Sequence, residues 1–201
     1  MPEAILVLAS HNAGKLAEME SLLKPCGIKV QSARGLGFNE QVEENGASFL
    51  ENAALKAQAI AQALNLPALA DDSGLCVAAL QGAPGVFSAR YAGENASDEQ
   101  NNLKLLQAMQ GQKQRDAYFA CAMVCALPFG SQLHASGRLL GRIALTMRGH
   151  NGFGYDPLFE IPGTNKTLAQ FDQAYKNKIS HRARALAGLL KDLPRFLEAI
   201  S

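Results

Sequence analysis

Near its start the chain reads Ala4-Ile5-Leu6-Val7-Leu8-Ala9, and this apolar run leads directly into Ser10-His11-Asn12-Ala13-Gly14-Lys15. Six consecutive apolar residues predict a strand that is buried on both faces. The apolar residues of 16–23 then recur at helical spacing, and Pro25 marks the end of that helix. A buried strand that leads straight into a helix is typical of an α/β protein.

Working outward from this stretch, the clearest helix covers 47–64, where apolar residues form one face. Pro67–Leu80 predicts two short strands around a tight turn at Asp72-Ser73-Gly74. Further elements are predicted as strands at Ile28–Ala33, Tyr118–Leu127 and Leu133–Leu145, and as helices at Asp98–Met109 and Ser180–Ile200 with a break at Pro194. Helices that alternate with strands and then give way to two long strands predict an α/β fold with a mixed sheet. The absence of a flexible linker predicts one domain over residues 1–201, which we expect to be elongated into two lobes.

The composition limits the class of protein. The chain has 201 residues and a mass of 21.4 kDa, with 19 basic against 18 acidic residues and a formal net charge of +1. Bulk charge therefore does not predict a nucleic-acid partner or an anionic membrane. No apolar run approaches the roughly 20 residues of a membrane helix, and the N-terminus has no pattern of a secretion signal. We expect a cytoplasmic protein without a membrane partner.

The four cysteines do not have the spacing of a metal site. Cys26, Cys76, Cys121 and Cys125 include no C-x-x-C pair, and none has a histidine at zinc-site distance. We expect them to be reduced thiols that pack as small apolar side chains.

The junction at Ser10–Lys15 is the first candidate site. A strand end that opens a helix presents free backbone N–H groups and the positive end of the helix dipole, which suits an anion such as phosphate. Lys15 adds a positive charge, although the stretch is not a Walker A loop. The alternative is an ordinary helix cap with a solvated lysine.

Adjacent carboxylates at Asp71 and Asp72 form the second candidate. Neighbouring side chains on an extended segment point to opposite faces, so one aspartate would face a site and the other would cap a turn or support the first. Such a carboxylate can hold Mg²⁺ or accept a proton from water, with Glu43 or Glu44 as a further metal ligand. The alternative is a turn that ends a strand.

Three further segments carry chemistry of lower specificity. Asn52 and Lys56 are four residues apart and share one face of the helix over 47–64, which predicts either a cleft or a helix flank. Gly152-Phe153-Gly154-Tyr155-Asp156-Pro157 predicts an aromatic platform for a flat ligand, or an aromatic turn packed on the core. Lys176–Arg184 is a basic cluster at a helix start, where cations oppose the dipole and require an anionic or carbonyl-rich partner. Taken together, these segments predict a site for a nucleoside triphosphate with Mg²⁺.

Six segments in order along the whole chain resemble the inosine triphosphate pyrophosphatase family, whose members act on non-canonical purine nucleotides. The segments are Ser10-x-Asn12-x-x-Lys15, Glu51-Asn52-Ala53-x-x-Lys56, Ala70–Leu75, Gly82-Ala83-Pro84-Gly85 with Ser88–Tyr91, Gly152–Pro157 and Ile179–Arg182. The resemblance implies an elongated two-lobed α/β fold with helices that flank a long mixed sheet, and an active-site cleft between the lobes. It also implies a homodimer that hydrolyses ITP, dITP and XTP to the monophosphate and pyrophosphate with Mg²⁺.

The resemblance also implies a role for each site residue. The phosphates would be held by Ser10, His11, Asn12, Ala13, Gly14, Lys15 and Lys56. Asp72 would bind Mg²⁺ together with Glu44 and would accept the proton of the attacking water, while Ser73 would contact substrate. The base would be met by Phe153, Gly154, Tyr155 and Asp156, and the pocket would be completed by Lys176, His181 and Arg182. Two residues depart from the family pattern, since His11 replaces a frequent glycine and Tyr155 replaces the tryptophan of some members.

Two other classes of protein remain open on the sequence. A nucleotide sensor would keep the phosphate and base groups and would not need Asp72 as a base. A nucleic-acid-binding module could use the basic cluster at Lys176–Arg184, although the near-neutral charge argues against it.

Overall fold

The computed structural model describes residues 5–10 and 13–198. Its strands are β1 (Ile5–Leu8), β2 (Lys29–Ser32), β3 (Ala68–Val77), β4 (Asp116–Ala126), β5 (Gln132–Ile143), β6 (Phe159–Ile161) and β7 (Lys166–Thr167). Its α-helices are α1 (Ala13–Leu23), α2 (Phe49–Leu64), α3 (Asp98–Ala108), α4 (Gln173–Ile179), α5 (His181–Leu189) and α6 (Leu193–Leu197). Short 3₁₀ helices cover Lys24–Cys26, Arg34–Leu36, Ala78–Leu80, Gly85–Arg90 and Leu168–Gln170.

All seven strands belong to one sheet, in the order β2-β1-β3-β4-β5-β6-β7. Strand β1 pairs in parallel with β2 and with β3, whereas β6 pairs antiparallel with both β5 and β7. The sheet is therefore mixed, and with its flanking helices it confirms the predicted α/β class.

The chain divides into two compact units, each made of separate stretches. The first unit contains the described residues of 1–72, 121–137 and 182–201, and the second contains 73–120 and 138–181.

Two hydrophobic clusters form the core of the first unit, on opposite faces of its strands. In β1, Leu6 and Leu8 belong to the cluster that also contains residues of α1 and α5. Val7 belongs to the other cluster, with Ala53 and Ala57 of α2. Successive residues of a strand point to opposite faces, so a strand covered on both faces must be apolar throughout. This burial explains the continuous apolar run with which the sequence begins.

The second unit has a single large cluster around β3, β4 and β5. Leu75, Leu105, Phe119 and Phe159 lie in it, and the rings of Phe119 and Phe159 are 4.5 Å apart between centroids. Helix α3 contributes Leu105 from one face, while its N-terminus is closed by a capping box between Ser97 and the third residue of the helix. The cluster fixes α3 against the strands. The position of the polar face of α3 is thereby fixed as well.

The predicted turn at Asp72-Ser73-Gly74 is wrong. Strand β3 continues without interruption from Ala68 to Val77, and Asp71 and Asp72 are both buried within it. Strand β3 lies between β1 and β4 in the sheet, and pairing within a sheet outweighs the turn preference of Asp, Ser and Gly.

The final predicted helix is also divided differently. Residues 181–189 and 193–197 form α5 and α6, so the helix is interrupted at 190–192, a few residues before the predicted break, and Pro194 itself lies in the first turn of α6. Helix α4, which carries Lys176, was not predicted.

The cysteines are free thiols in different surroundings. Cys121 and Cys125 lie in one cluster of the first unit, and burial raises the pKa of Cys125 to about 12. Cys76 is buried as well, but Cys26 is exposed, which corrects the expectation that all four are buried.

None of the helices in the described ranges has the length and apolar character needed to cross a membrane.

Candidate active site

The junction between β1 and α1 carries the first group of predicted phosphate ligands. Ser10 lies just before the helix, Gly14 and Lys15 lie in its first turn, and His11 and Asn12 fall outside the described residues. The Lys15 ammonium lies 3.2 Å from Oδ2 of Asp71, and its side chain is 17% exposed. A mostly buried ammonium beside a helix N-terminus provides both the charge and the N–H dipoles that bind phosphate.

The two aspartates of β3 have different partners. Asp71 contacts Lys15 and accepts a hydrogen bond from Nε of Arg182 at 3.1 Å. Asp72 accepts one from Nδ2 of Asn52 at 3.1 Å, and its Oδ1 lies 3.9 Å from Nζ of Lys56. This division agrees with the expected alternation of side chains and shows that Asp71 supports the cationic residues rather than capping a turn.

The pKa values of these aspartates are shifted in opposite directions. Burial alone would raise the pKa of Asp71, but the charges of Lys15 and Arg182 outweigh it and hold that pKa well below its usual range. Burial raises the pKa of Asp72, and the charges of Lys56 and Lys15 offset only part of the effect. Asp71 is therefore a fixed anion, while Asp72 has the stronger tendency to take up a proton.

Helix α2 supplies the groups that hold Asp72. Its N-terminus is capped by Ser48, and Asn52 and Lys56 follow on one face of the helix. Oδ1 of Asn52 accepts a hydrogen bond from the backbone N–H of Gly46 at 2.8 Å, while Nζ of Lys56 donates to Oε2 of Glu44 at 2.9 Å. The structure thus selects the site-facing alternative for this pair over a simple helix flank.

Arg182 is buried in the first unit between two carboxylates. Its Nη1 donates to Oε2 of Glu18 at 2.9 Å, and its Nε donates to Asp71. Burial alone would lower the pKa of Arg182, but the negative charges of Asp71 and Glu18 outweigh it and raise that pKa above its usual value. These anions explain why a cation is tolerated in the first turn of α5, where it opposes the helix dipole.

The loop at Gly152–Pro157 carries the predicted base contacts, in the second unit. Phe153 is half-buried, and its ring centroid lies 6.0 Å from Nζ of Lys176. The same ammonium is 2.5 Å from Oδ2 of Asp156, and both of these side chains are buried. An aromatic face and a carboxylate of the loop therefore lie beside the Lys176 ammonium of α4. Recognition of a polar aromatic ligand requires groups of these kinds.

Three further residues predicted to contact substrate lie in the same unit, and two of them have structural partners there. The ring of Tyr155 is buried in the core, and its hydroxyl donates to the carbonyl oxygen of Ser88 at 2.8 Å. The ring of His181 stacks on Phe119, with centroids 4.9 Å apart. Ser73 is half-buried in β3. The Tyr155 ring thus does not form a stacking surface, and the contacts of these residues with substrate stay predictions.

Gly152 offers a direct test of this loop. Its φ is +90°, and a Cβ atom there would overlap the carboxylate of Asp156 and the ammonium of Lys176. We expect Gly152→Ala to lower kcat/KM for the nucleotide predicted from the sequence by about 10–100-fold, because the loop must move away from its place. The control is Gly163→Ala, which has a similar φ of +79° and open space around its Cβ. Equal kinetics for the two variants would show that backbone strain, and not the displaced ion pair, determines the effect.

Comparison with known proteins assigns the chain to a family. A sequence model of the Ham1 family matches residues 6–192. The chain belongs to the Ham1 family. Similar proteins include the dITP/XTP pyrophosphatase of Bacillus subtilis, which is 46% identical in an alignment of length 201 that covers 99% of this chain and 98% of that protein. The dITP/XTP pyrophosphatase of Nitrosomonas europaea is 49% identical in an alignment of length 191 that covers 94% of this chain and 93% of that protein.

A solved Ham1 structure agrees with the fold. The HAM1 protein from Coxiella burnetii has a TM-score of 0.87 and 44% identity to this chain, and the match covers 96% of this chain and 99% of that one. The family resemblance inferred from the six segments is therefore confirmed.

In this Ham1 chain, the donor set around Lys56 suits magnesium. Glu44 and Asp72 both have an oxygen within 4 Å of Nζ of Lys56, so the two carboxylates lie close to each other. The described residues contain no group of three or more His, Cys, Asp and Glu that could hold a metal by itself. Magnesium in phosphate chemistry is commonly held by one or two carboxylates, with substrate oxygens and water completing the shell. The residues present fit that mode of binding.

Sequence reasoning missed the residues that support the Ham1 site. Glu18 was not assigned to it, Asp71 was left as either a turn cap or a support, and Asn52 was noted only as part of a polar pair. Glu18 lies three residues after Lys15 and so shares its face of α1, which is a signal that could have been used. The pairing of Arg182 with Asp71 spans 111 residues and has no local signal.

Proposed function

We propose that this Ham1 chain hydrolyses non-canonical purine nucleoside triphosphates, namely ITP, dITP and XTP, to the monophosphate and pyrophosphate. The observation that carries the proposal is that relatives named dITP/XTP pyrophosphatase match nearly the whole chain. The site residues support it, because the first unit contains groups suited to phosphate and the second contains groups suited to a base. The chain is an enzyme that acts on phosphoanhydride bonds.

Lys15 and Lys56 act on the phosphates in this proposal. Hydrolysis between the α and β phosphates leaves negative charge on the departing pyrophosphate, and nearby ammonium groups stabilise that charge. Asp71 holds Lys15 in place through their 3.2 Å ion pair, so that the cation is ordered before substrate arrives. The backbone N–H groups of the first turn of α1 add to the same effect.

Asp72 is the proposed proton acceptor for the attacking water. A general base works best when its pKa lies close to the working pH, and burial raises the pKa of Asp72 in that direction. Asn52 donates to one oxygen of the carboxylate and so orients it. Magnesium bound by Asp72 and Glu44 would supply Lewis-acid polarisation of the phosphate oxygens.

Lys176 and Phe153 are proposed to select the base. Phe153 offers a stacking face, and the Lys176 ammonium is a donor that suits a purine carrying a 6-oxo group. Adenine carries a 6-amino group at that position, which would not accept a hydrogen bond from an N–H of Lys176 that Asp156 does not already engage. A mismatch of this kind can lower kcat/KM for the adenine nucleotide, relative to the 6-oxopurine nucleotide, by a factor of about 10⁴.

Removal of the metal tests the proposed chemistry. We expect dITP to give pyrophosphate and the monophosphate in the presence of Mg²⁺, and turnover to fall to background with excess EDTA and return when Mg²⁺ is restored. Separation of the products by ion-exchange chromatography measures this. Release of orthophosphate would contradict cleavage between the α and β phosphates. Binding of dITP without any turnover would instead support a nucleotide sensor.

The proposal includes a homodimer as the assembled state. Sedimentation velocity of the purified chain measures its mass directly, and a species of about 21 kDa at micromolar concentration would contradict a dimer.

A further inference from the structure

Helix α3 holds the proposed base-binding loop by two side chains that meet at one glycine. Oδ2 of Asp98 accepts a hydrogen bond from the backbone N–H of Gly154 at 2.6 Å. Nδ2 of Asn102 donates to the carbonyl oxygen of Gly154 at 2.8 Å. The two bonds engage the peptide groups on both sides of the Gly154 α-carbon.

We propose that Asp98 and Asn102 are positioning residues for base recognition, because together they fix the conformation of Gly154 and so the place of the Phe153 ring. This inference rests on the proposed function, since it deepens the account of the same loop. Neither residue was assigned to the site from the sequence.

The conformation of Gly154 is one that needs to be held. Its φ is +60°, and the backbone of a glycine populates many alternatives. Fixing both flanking peptide groups removes rotation about φ and ψ at that position. Phe153 directly precedes Gly154. The backbone N–H of Phe153 donates to Oδ2 of Asp156 at 3.4 Å. The ring is therefore attached to backbone that is constrained at both ends.

Asn102 is a costly residue to bury unless it has such a role. It is 2% exposed, and its Nδ2 also donates to the carbonyl oxygen of Asp98, which orients the amide within α3. Its Oδ1 has no hydrogen-bond partner among the described residues. A buried acceptor without a partner costs free energy, so an apolar residue would suit this position better if packing alone mattered.

Helix α3 is a rigid support for this contact. Its apolar face lies in the core of the second unit through Leu105 and Met109. Asn101, next to Asn102, is bonded to the segment before the helix: its Oδ1 accepts from the N–H of Ala92, and its Nδ2 donates to Ala89 O. The position of α3 is thus fixed without any contact to Gly154. The two hydrogen bonds from α3 to Gly154 then hold the loop at a fixed place relative to the helix.

Four variants test the inference. Asp98→Ala and Asn102→Leu each remove one bond to Gly154. Asp98→Asn keeps an oxygen that can accept the Gly154 N–H and is the conservative rescue. Glu99→Ala is the matched control, because Glu99 is also an exposed acidic residue in the first turn of α3.

Two measurements are made on each variant of the full chain. Hydrogen exchange of the peptide that contains Gly154 reports the clamp itself, without any need for activity. Steady-state kinetics with dITP report KM and kcat separately. We expect Asp98→Ala and Asn102→Leu to speed exchange of that peptide at least tenfold and to raise KM about tenfold, with kcat within threefold. Asp98→Asn and Glu99→Ala should match the wild type in both.

Each outcome decides the inference. Unchanged exchange in Asp98→Ala and Asn102→Leu would overturn it, as would faster exchange with an unchanged KM. A lower melting temperature with unchanged KM would assign the two residues to stability alone and would also overturn it. If the wild type hydrolyses no nucleotide, the proposed function fails. In that case dITP binding, measured by calorimetry, replaces KM, and unchanged affinity in both variants overturns the inference.

Discussion

Replacing Asp72 with asparagine is expected to lower the rate of pyrophosphate release by about 10³-fold, within the range that a general base contributes. The variant keeps the shape of the side chain and an oxygen that can accept the Asn52 hydrogen bond, but it cannot take a proton from water. We expect triphosphate binding to change by no more than about tenfold, because Lys15 and Lys56 remain. Stopped assays of pyrophosphate and calorimetric titration with dITP measure the two quantities.

The stability of Asp72→Asn distinguishes lost chemistry from lost structure. Burial raises the pKa of Asp72, so the charged carboxylate is less favourable in the folded chain than in the unfolded one. Near neutral pH, the neutral amide should therefore leave the free energy of unfolding unchanged or raise it. Asp116→Asn is the control, since the side chain of Asp116 is 70% exposed. Retention of most activity by Asp72→Asn would show that the assignment of the base is wrong.

Replacing Arg182 with methionine is expected to have the largest effect on stability. The guanidinium is buried with Glu18 and Asp71, so its removal leaves two carboxylates in a poorly solvated region without that cation. Breaking a buried ion pair in this way costs about 3–5 kcal/mol. We expect a corresponding loss in the free energy of unfolding in urea, and a melting temperature lower by roughly 10 °C.

Arg142→Met is the matched control for this substitution. Arg142 pairs with Asp116 at 3.7 Å, but the two side chains are 55% and 70% exposed. An exposed pair of this kind contributes no more than about 1 kcal/mol. A loss below about 1 kcal/mol for Arg182→Met would contradict the view that the Arg182 cluster stabilises the first unit.

Local patterns were sufficient to predict most helices and strands. The apolar run at Ala4–Ala9 predicts β1 because a strand covered on both faces has no polar side. The helical spacing over 47–64 predicts α2 for a similar reason, since one face packs in a core cluster. These signals are carried by neighbouring residues and need no knowledge of the rest of the chain.

The errors occur where distant neighbours determine the structure. Asp72-Ser73-Gly74 has the composition of a turn, yet these residues continue β3, which is an inner strand of the sheet. The pairing order of strands depends on contacts between residues far apart in the sequence, which a local pattern does not contain. Cys26 shows the same limit, since its exposure depends on what packs over the end of α1.

For the candidate site, the sequence indicated the reactive groups but not their supports. Lys15, Lys56 and Asp72 were identified through charge, spacing and family resemblance. Asp71 and Asn52, the partners that hold them, were noted, but the groups that they contact were not predicted, because a supporting carboxylate or amide has the same local pattern as a surface residue. Only the distances between side chains distinguish these two cases.

The comparison of dITP with dATP tests the central claim most directly. Both carry the same sugar and triphosphate, so they differ only in the base that Phe153 and Lys176 are proposed to recognise. With Mg²⁺ present, the account predicts that kcat/KM for pyrophosphate release is higher for dITP by about 10⁴. Equal values for the two nucleotides, or a preference for dATP, would contradict it.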